Sequence, residues 1–170
     1  SDITADELKA ANYAGQIEAI GKSQAVIEFG MDGKVLTANA NFLGALGYSL
    51  AEIQGKDHSM FVPADQRDNE AYRAFWAALN RGDFQSGEYE RVGKGGKQIW
   101  IQASYNPIRD LNGNPFKVVK YASDTTAQVL ARMRSERVRS MMESVAAGAE
   151  ELNASVREIS AAMSKSRDTA

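Results

Sequence analysis

His58 is the only histidine in the chain, and there is no cysteine. That pair of facts removes most nucleophile–base combinations and every thiolate metal or disulfide site. What remains is chemistry of binding. Tyr72 and Trp76 are four residues apart in a helical stretch, and so share one face. An indole there offers a flat surface to a planar ring. Asn39, Tyr105 and His58 can donate to or accept from a ligand, and Arg91 can only donate. A lone imidazole is also a possible axial ligand for haem iron. Gly93-Lys94-Gly95-Gly96 sits between two strands, so it reads as a hairpin turn and not as a phosphate loop. Asp65, Asp68 and Glu70 are accounted for by the positive end of the helix they precede. The sequence therefore predicts no enzyme.

These residues must be positioned by a small α+β domain. The chain has 170 residues, 44% hydrophobic and 25% charged, with a formal net charge of −2. That balance gives no basic field for nucleic acid, and no apolar run reaches the roughly 18 residues of a membrane span. A helix is expected over 5–21, with Ala10, Tyr13, Ile17 and Ile20 on one side. Strands follow over 24–30 and 34–38, joined by the hairpin signal Asp32-Gly33. Short helical pieces fill 39–57, a longer helix spans 64–81, and three strands cover 84–92, 98–108 and 116–123. The expected product is one five-stranded antiparallel sheet with helices on one face. Alternation puts Ile99, Ile101, Ala103 and Tyr105, with Gly87, Tyr89 and Arg91, on the inner face, and Trp100 on the outer face.

From about residue 127 the pattern changes. Val138, Met142, Val145, Ala149, Leu152, Val156, Ile159 and Met163 step by four and three, a coiled-coil seam that calls for a partner helix. Ser1-Asp2-Ile3-Thr4 and Ser123-Asp124-Thr125-Thr126 repeat one pattern before each flanking helix. The expected organisation is the tail of a preceding module (1–4), a linker helix (5–21), the domain itself (22–126) and a coiled-coil helix (127–170).

The order of elements resembles a PAS domain, a small sensor fold of bacterial signalling proteins. The resemblance is carried by Asn41 to Ser49, by Leu50 to Gly55, by Asn106 to Gly113 and by the closing Asp124-x-Thr126. The stretch Gly148 to Ile159 is similar to the entry of the methyl-accepting chemotaxis receptor rod, and Glu150-Glu151-x-x-Ala154-Ser155 fits its methylation pattern. Tyr72 to Leu79 with Phe84 to Gly87 is similar to flavin-binding PAS sensors of aerotaxis receptors. There a Trp on this helix lines the FAD site, but an Asn stands where this chain has Arg91.

The resemblance implies a cytoplasmic sensor of a chemotaxis receptor, homodimeric through its flanking helices. It would act on a chemotaxis kinase and coupling protein downstream. FAD, haem at His58, an anionic ligand or an empty core remain open for the pocket. Asp124, Thr126 and Trp100 are the expected relay, with Glu150 and Glu151 as possible methylation sites. The alternatives are a ligand-free dimerisation or relay module of a histidine kinase or cyclase, and a purely structural oligomerisation module.

Overall fold

A computed structural model describes residues 4–169, without the side chain of Thr169. Ser1, Asp2 and Ile3 of the first Ser-Asp-x-Thr copy lie outside the described residues. The chain divides into two units that meet at Thr126 and Ala127.

The first unit holds α1 (Ala5–Ser23), β1 (Ala25–Gly30), β2 (Val35–Ala38), α2 (Ala40–Leu46), α3 (Leu50–Ile53), α4 (Glu70–Asn80), β3 (Gln85–Val92), β4 (Gln98–Arg109) and β5 (Pro115–Asp124). The five strands form one antiparallel sheet in the order β2-β1-β5-β4-β3, the expected fold class. Pairing the first strand with the last makes β5 central, flanked on both edges. Gly33, at the β1–β2 turn, has φ +84°, a left-handed conformation that an L side chain resists.

Alternation sorts the faces as expected. Ile99, Ile101, Ala103 and Tyr105 are buried, joined by Ile27, Phe29, Val118 and Ala122 from the neighbouring strands. The helices contribute Phe42, Leu46, Ile53 and Leu79 to the same core.

The long helix expected over 64–81 is interrupted. Ala64–Gln66 is a single 3-10 turn, and α4 begins only at Glu70. Asn69 is the reason: its side chain accepts the Tyr72 N–H at 2.8 Å and caps the helix there. Asp65 and Asp68 thus lie outside the first turn of α4, and only Glu70 sits in it.

α1 buries none of its side chains. Its start is fixed by a capping box, with Thr4 Oγ1 accepting from the Glu7 N–H and Glu7 Oε2 from the Thr4 N–H. Its end is held by two asparagines near the start of α2. Asn39 donates to the carbonyls of Gly21 (3.0 Å) and Gln24 (2.9 Å), and Asn41 donates to the same two and to Lys22. The Asn39 oxygen accepts from Val26 N–H and Phe42 N–H, both at 3.0 Å. One side chain therefore caps α2, starts β1 and fastens α1.

The second unit is the body of α5 (Thr126–Thr169), a single continuous helix. Its seam residues Val138, Met142, Val145, Leu152, Val156, Ile159 and Met163 are all exposed in the single chain. No described helix is long and apolar enough to cross a membrane.

Asn39→Ala removes the α2 cap and leaves the partly buried Val26 N–H without its acceptor. Urea denaturation should show a loss of about 2 kcal/mol. A change under about 0.5 kcal/mol would mean that this clamp is dispensable.

Candidate functional site

The core is polar at its centre. Its buried polar or charged residues include His58, Arg91 and Lys120, at 0%, 5% and 1% exposure. His58 opens a 3-10 turn capped by Asp57, whose carboxylate accepts the Ser59 N–H. The His58 N–H donates to the Gly33 carbonyl at 2.8 Å, tying that turn to the first hairpin. Tyr105 comes from the inner face of β4, Arg91 from the end of β3 and Lys120 from β5, where it pairs across with Tyr105. Tyr72 and Trp76 come from one face of α4, and the Trp76 Nε1–H donates to the Tyr72 hydroxyl at 3.1 Å.

These groups form one hydrogen-bonded chain. Tyr105 Oη accepts from Arg91 Nε (3.3 Å) and Nη2 (3.0 Å) and lies 3.1 Å from His58 Nε2. His58 Nδ1 lies 2.8 Å from Tyr72 Oη. Burial holds the His58 pKa well below the usual 6.5, and the Arg91 and Lys120 charges push it the same way. The imidazole is therefore neutral, with one N–H.

Donor counting then assigns the protons. A guanidinium only donates, so Tyr105 is the acceptor in both Arg91 bonds. The Tyr105 proton goes to His58 Nε2, and His58 carries its own proton on Nδ1 and donates it to Tyr72. Tyr72 accepts a second bond from Trp76. The Tyr72 hydroxyl proton is left without an acceptor in the chain. Burial raises the Tyr72 pKa to about 12, so this phenol keeps its proton.

Aromatic faces surround the two cations. The Arg91 guanidinium carbon is 4.8 Å from the Tyr89 ring centroid. Lys120 Nζ is 4.9 Å from the Tyr105 centroid and 5.6 Å from that of Phe42. Burial lowers the Lys120 pKa against the opposing pull of Tyr105. For Tyr105 burial acts upward, but the Lys120 and Arg91 charges outweigh it and bring the phenol below 10. Lys120 was absent from the expected site. Its inward parity with Val118 and Ala122 on β5 was the available signal.

A cavity of about 150 Å³ adjoins this cluster, lined in part by Val62, Gln66, Tyr72, Phe75, Tyr89 and Arg91. Two of the expected pocket residues, Tyr72 and Arg91, are in its wall. Trp76 is not: its ring meets Phe29 edge-on at 6.0 Å and its N–H is spent on Tyr72. His58 and Tyr105 lie behind the wall, within the chain of hydrogen bonds. Asn39 is the clamp described above and does not line the cavity.

FAD, haem and an empty core are the alternatives for this pocket, and two features of the packing bear on them. Ligand pockets occupy roughly 300–1,000 Å³, above the space here, and Trp76 does not line it. Both nitrogens of His58 are engaged by tyrosine hydroxyls, so none is free for iron. Among the described residues no group of His, Asp and Glu could hold a metal ion.

At the far end of β5 the closing motif makes its own clasp. The Trp100 N–H donates to Thr126 Oγ1 at 3.0 Å, and Thr126 Oγ1 donates to Asp124 Oδ1 at 2.6 Å. The Thr126 N–H also donates to Asp124 Oδ1 (2.9 Å), and the Thr125 N–H donates to the Trp100 carbonyl (2.8 Å). Trp100 is half-buried on the outer face, and its indole N–H has no partner. Glu150 and Glu151 are exposed on α5.

The profile of the PAS fold matches residues 35–122. The chain is 41% identical over 126 residues to the biofilm dispersion protein BdlA of Pseudomonas aeruginosa, covering 74% of this chain and 30% of that protein. It is 32% identical over 71 residues to the aerotaxis receptor of Escherichia coli, covering 42% of this chain and 14% of the receptor. The chain thus spans less than a third of either curated relative. Among solved structures, the PAS domain of a Colwellia psychrerythraea protein superposes with a TM-score of 0.59 at 20% identity, over 68% of this chain and 98% of that one. A light-oxygen-voltage domain studied with a flavin analogue gives 0.59 at 20% identity, over 74% and 96%. At that identity the likeness concerns the fold.

A histidine with a depressed folded pKa binds its proton more readily when unfolded. Its stabilising contribution is complete above pH 6.5 and is lost as pH falls through 6.5 toward the folded value. Urea melts from about pH 7.5 to about pH 5 should show a loss approaching ~1.4 kcal/mol per unit, and His58→Gln should flatten that slope. An unchanged slope in the variant would place the titration elsewhere.

Proposed function

This chain belongs to the PAS fold family, and on that premise we propose that it is the signal-sensing module of a chemotaxis receptor. A change at the buried polar chain shifts β5, and the Asp124–Thr126 clasp passes the shift to α5. The observation that carries this reading is the continuity of β5. Lys120 faces the core on the same strand that ends at Asp124, where the carboxylate holds the first N–H of the outgoing helix. The likeness to an aerotaxis receptor supports the same reading.

In this reading α5 pairs with its counterpart in a second copy through the exposed seam from Val138 to Met163. The dimer works in the cytoplasm, and a downstream rod engages the chemotaxis kinase and its coupling protein. Methylation at Glu150 and Glu151 would remove one negative charge each from the helix surface, easing repulsion between paired helices and tuning output. With the core packed as described, the stimulus acts on the polar chain and its adjoining cavity.

Asp124→Ala in the intact protein should leave the core folded, cost about 1 kcal/mol through the lost cap, and break the link between stimulus and kinase output. Output that still follows the stimulus as in the parent protein would defeat the proposed relay.

A further inference from the structure

Arg91 puts a positive charge in the cavity wall, and among the described residues no salt bridge to it is seen. The salt bridges of Lys34, Arg81, Lys94 and Lys117 all lie elsewhere. Lys120, the second buried cation, likewise has no carboxylate in an ion pair. A guanidinium left buried and unpaired is costly, and the cost falls most when a carboxylate meets its planar fork. The fork has five N–H donors. Arg91 uses three of them, on Tyr105 and on the Glu90 carbonyl, so two remain. The Tyr72 hydroxyl proton, left over by the donor count above, borders the same cavity.

Gln66 and Asn69 add polar groups to the wall, and the part facing Arg91 and Tyr72 includes flat aromatic and apolar surface. The Tyr72 and Phe75 rings are nearly parallel, 11° apart with centroids at 6.4 Å. Tyr89 crosses Phe75 at 73° and 5.8 Å, and Val62 closes one side. Rings arranged in this way accept another ring by stacking or edge contact. The volume of about 150 Å³ is that of a cavity able to take one benzene.

We propose that this cavity binds a small planar monocarboxylate of about benzoate size. Its ring packs against Phe75 and Tyr89, and its carboxylate accepts from Arg91 and Tyr72. This names the ligand class for the sensory reading and rests on that reading only for its effect on output. The position where the flavin sensors resembled by this chain carry a neutral amide thus becomes the residue that selects an anion.

Isothermal titration of the 170-residue chain with benzoate, benzamide and acetate tests the proposal without any variant. Benzoate should bind at least about tenfold tighter than benzamide, which keeps the ring and loses the charge. It should also bind at least about tenfold tighter than acetate, which keeps the charge and loses the ring. Equal affinity for benzoate and benzamide, or no heat and no rise in melting temperature with benzoate, would overturn it. Arg91→Gln should abolish the preference for benzoate. If that variant does not fold, Tyr72→Phe, which keeps the ring and removes only the hydroxyl, should weaken benzoate severalfold. Parent-like benzoate affinity in either folded variant would also overturn the proposal. Tight benzoate binding with unaltered kinase output would sustain the ligand class and sink the sensory reading instead.

Discussion

Two cations sit in the core of a small domain with no salt bridge to either seen among the described residues, and the aromatic faces beside them are what the rest of the structure depends on. Tyr89 and Tyr105 present their faces to Arg91, and Tyr105 and Phe42 present theirs to Lys120. Each such contact is worth about 0.5–2 kcal/mol, more where water is excluded. The Tyr105 oxygen adds charge-assisted hydrogen bonds. One phenol therefore anchors both cations, polarises His58 and, through it, Tyr72. The strands must hold this residue at one depth for all of these contacts to coexist, and β4 does so between two flanking partners.

Much of the fold was legible because alternation and hydrophobic spacing are local signals. Ile99, Ile101, Ala103 and Tyr105 could be placed inward from their two-residue period alone. The long helix after residue 126 was readable from the steps of four and three between Val138 and Met163. The interruption before α4 was less so, because the capping role of Asn69 depends on one side-chain rotamer. The site was harder for a different reason. His58 finds its partners 14 and 47 positions away, and no local pattern encodes such distances. Tyr72 and Trp76 share a helix face, and that much followed from spacing. The rotation of the indole toward Phe29 and away from the cavity is set by tertiary packing. Lys120 is a different case: it shares the inward parity of Val118 and Ala122, but a lysine on a strand reads as solvent-facing.

The middle of β5 and its C-terminal end differ in character. Its middle is fixed by hydrogen bonds to neighbours on both sides, and its inner face carries Val118, Lys120 and Ala122. Its end is exposed, and there Asp124 and Thr126 close a short loop of bonds onto the backbone of Trp100. A displaced strand in a packed sheet moves as a unit, because interiors resist compression. The clasp sits where such a movement must either be transmitted or be absorbed by breaking polar bonds.

The N-terminal helix offers a contrast. It shares no side chain with the hydrophobic core, and its last carbonyls rest on the amides of Asn39 and Asn41. Its own sequence is therefore almost unconstrained by the domain, since the amides recognise backbone and not side chains. Any helix that ends in the right place can plug into the same socket. The fold is in this sense an interchangeable fitting, able to be spliced behind different upstream segments without rebuilding its interior.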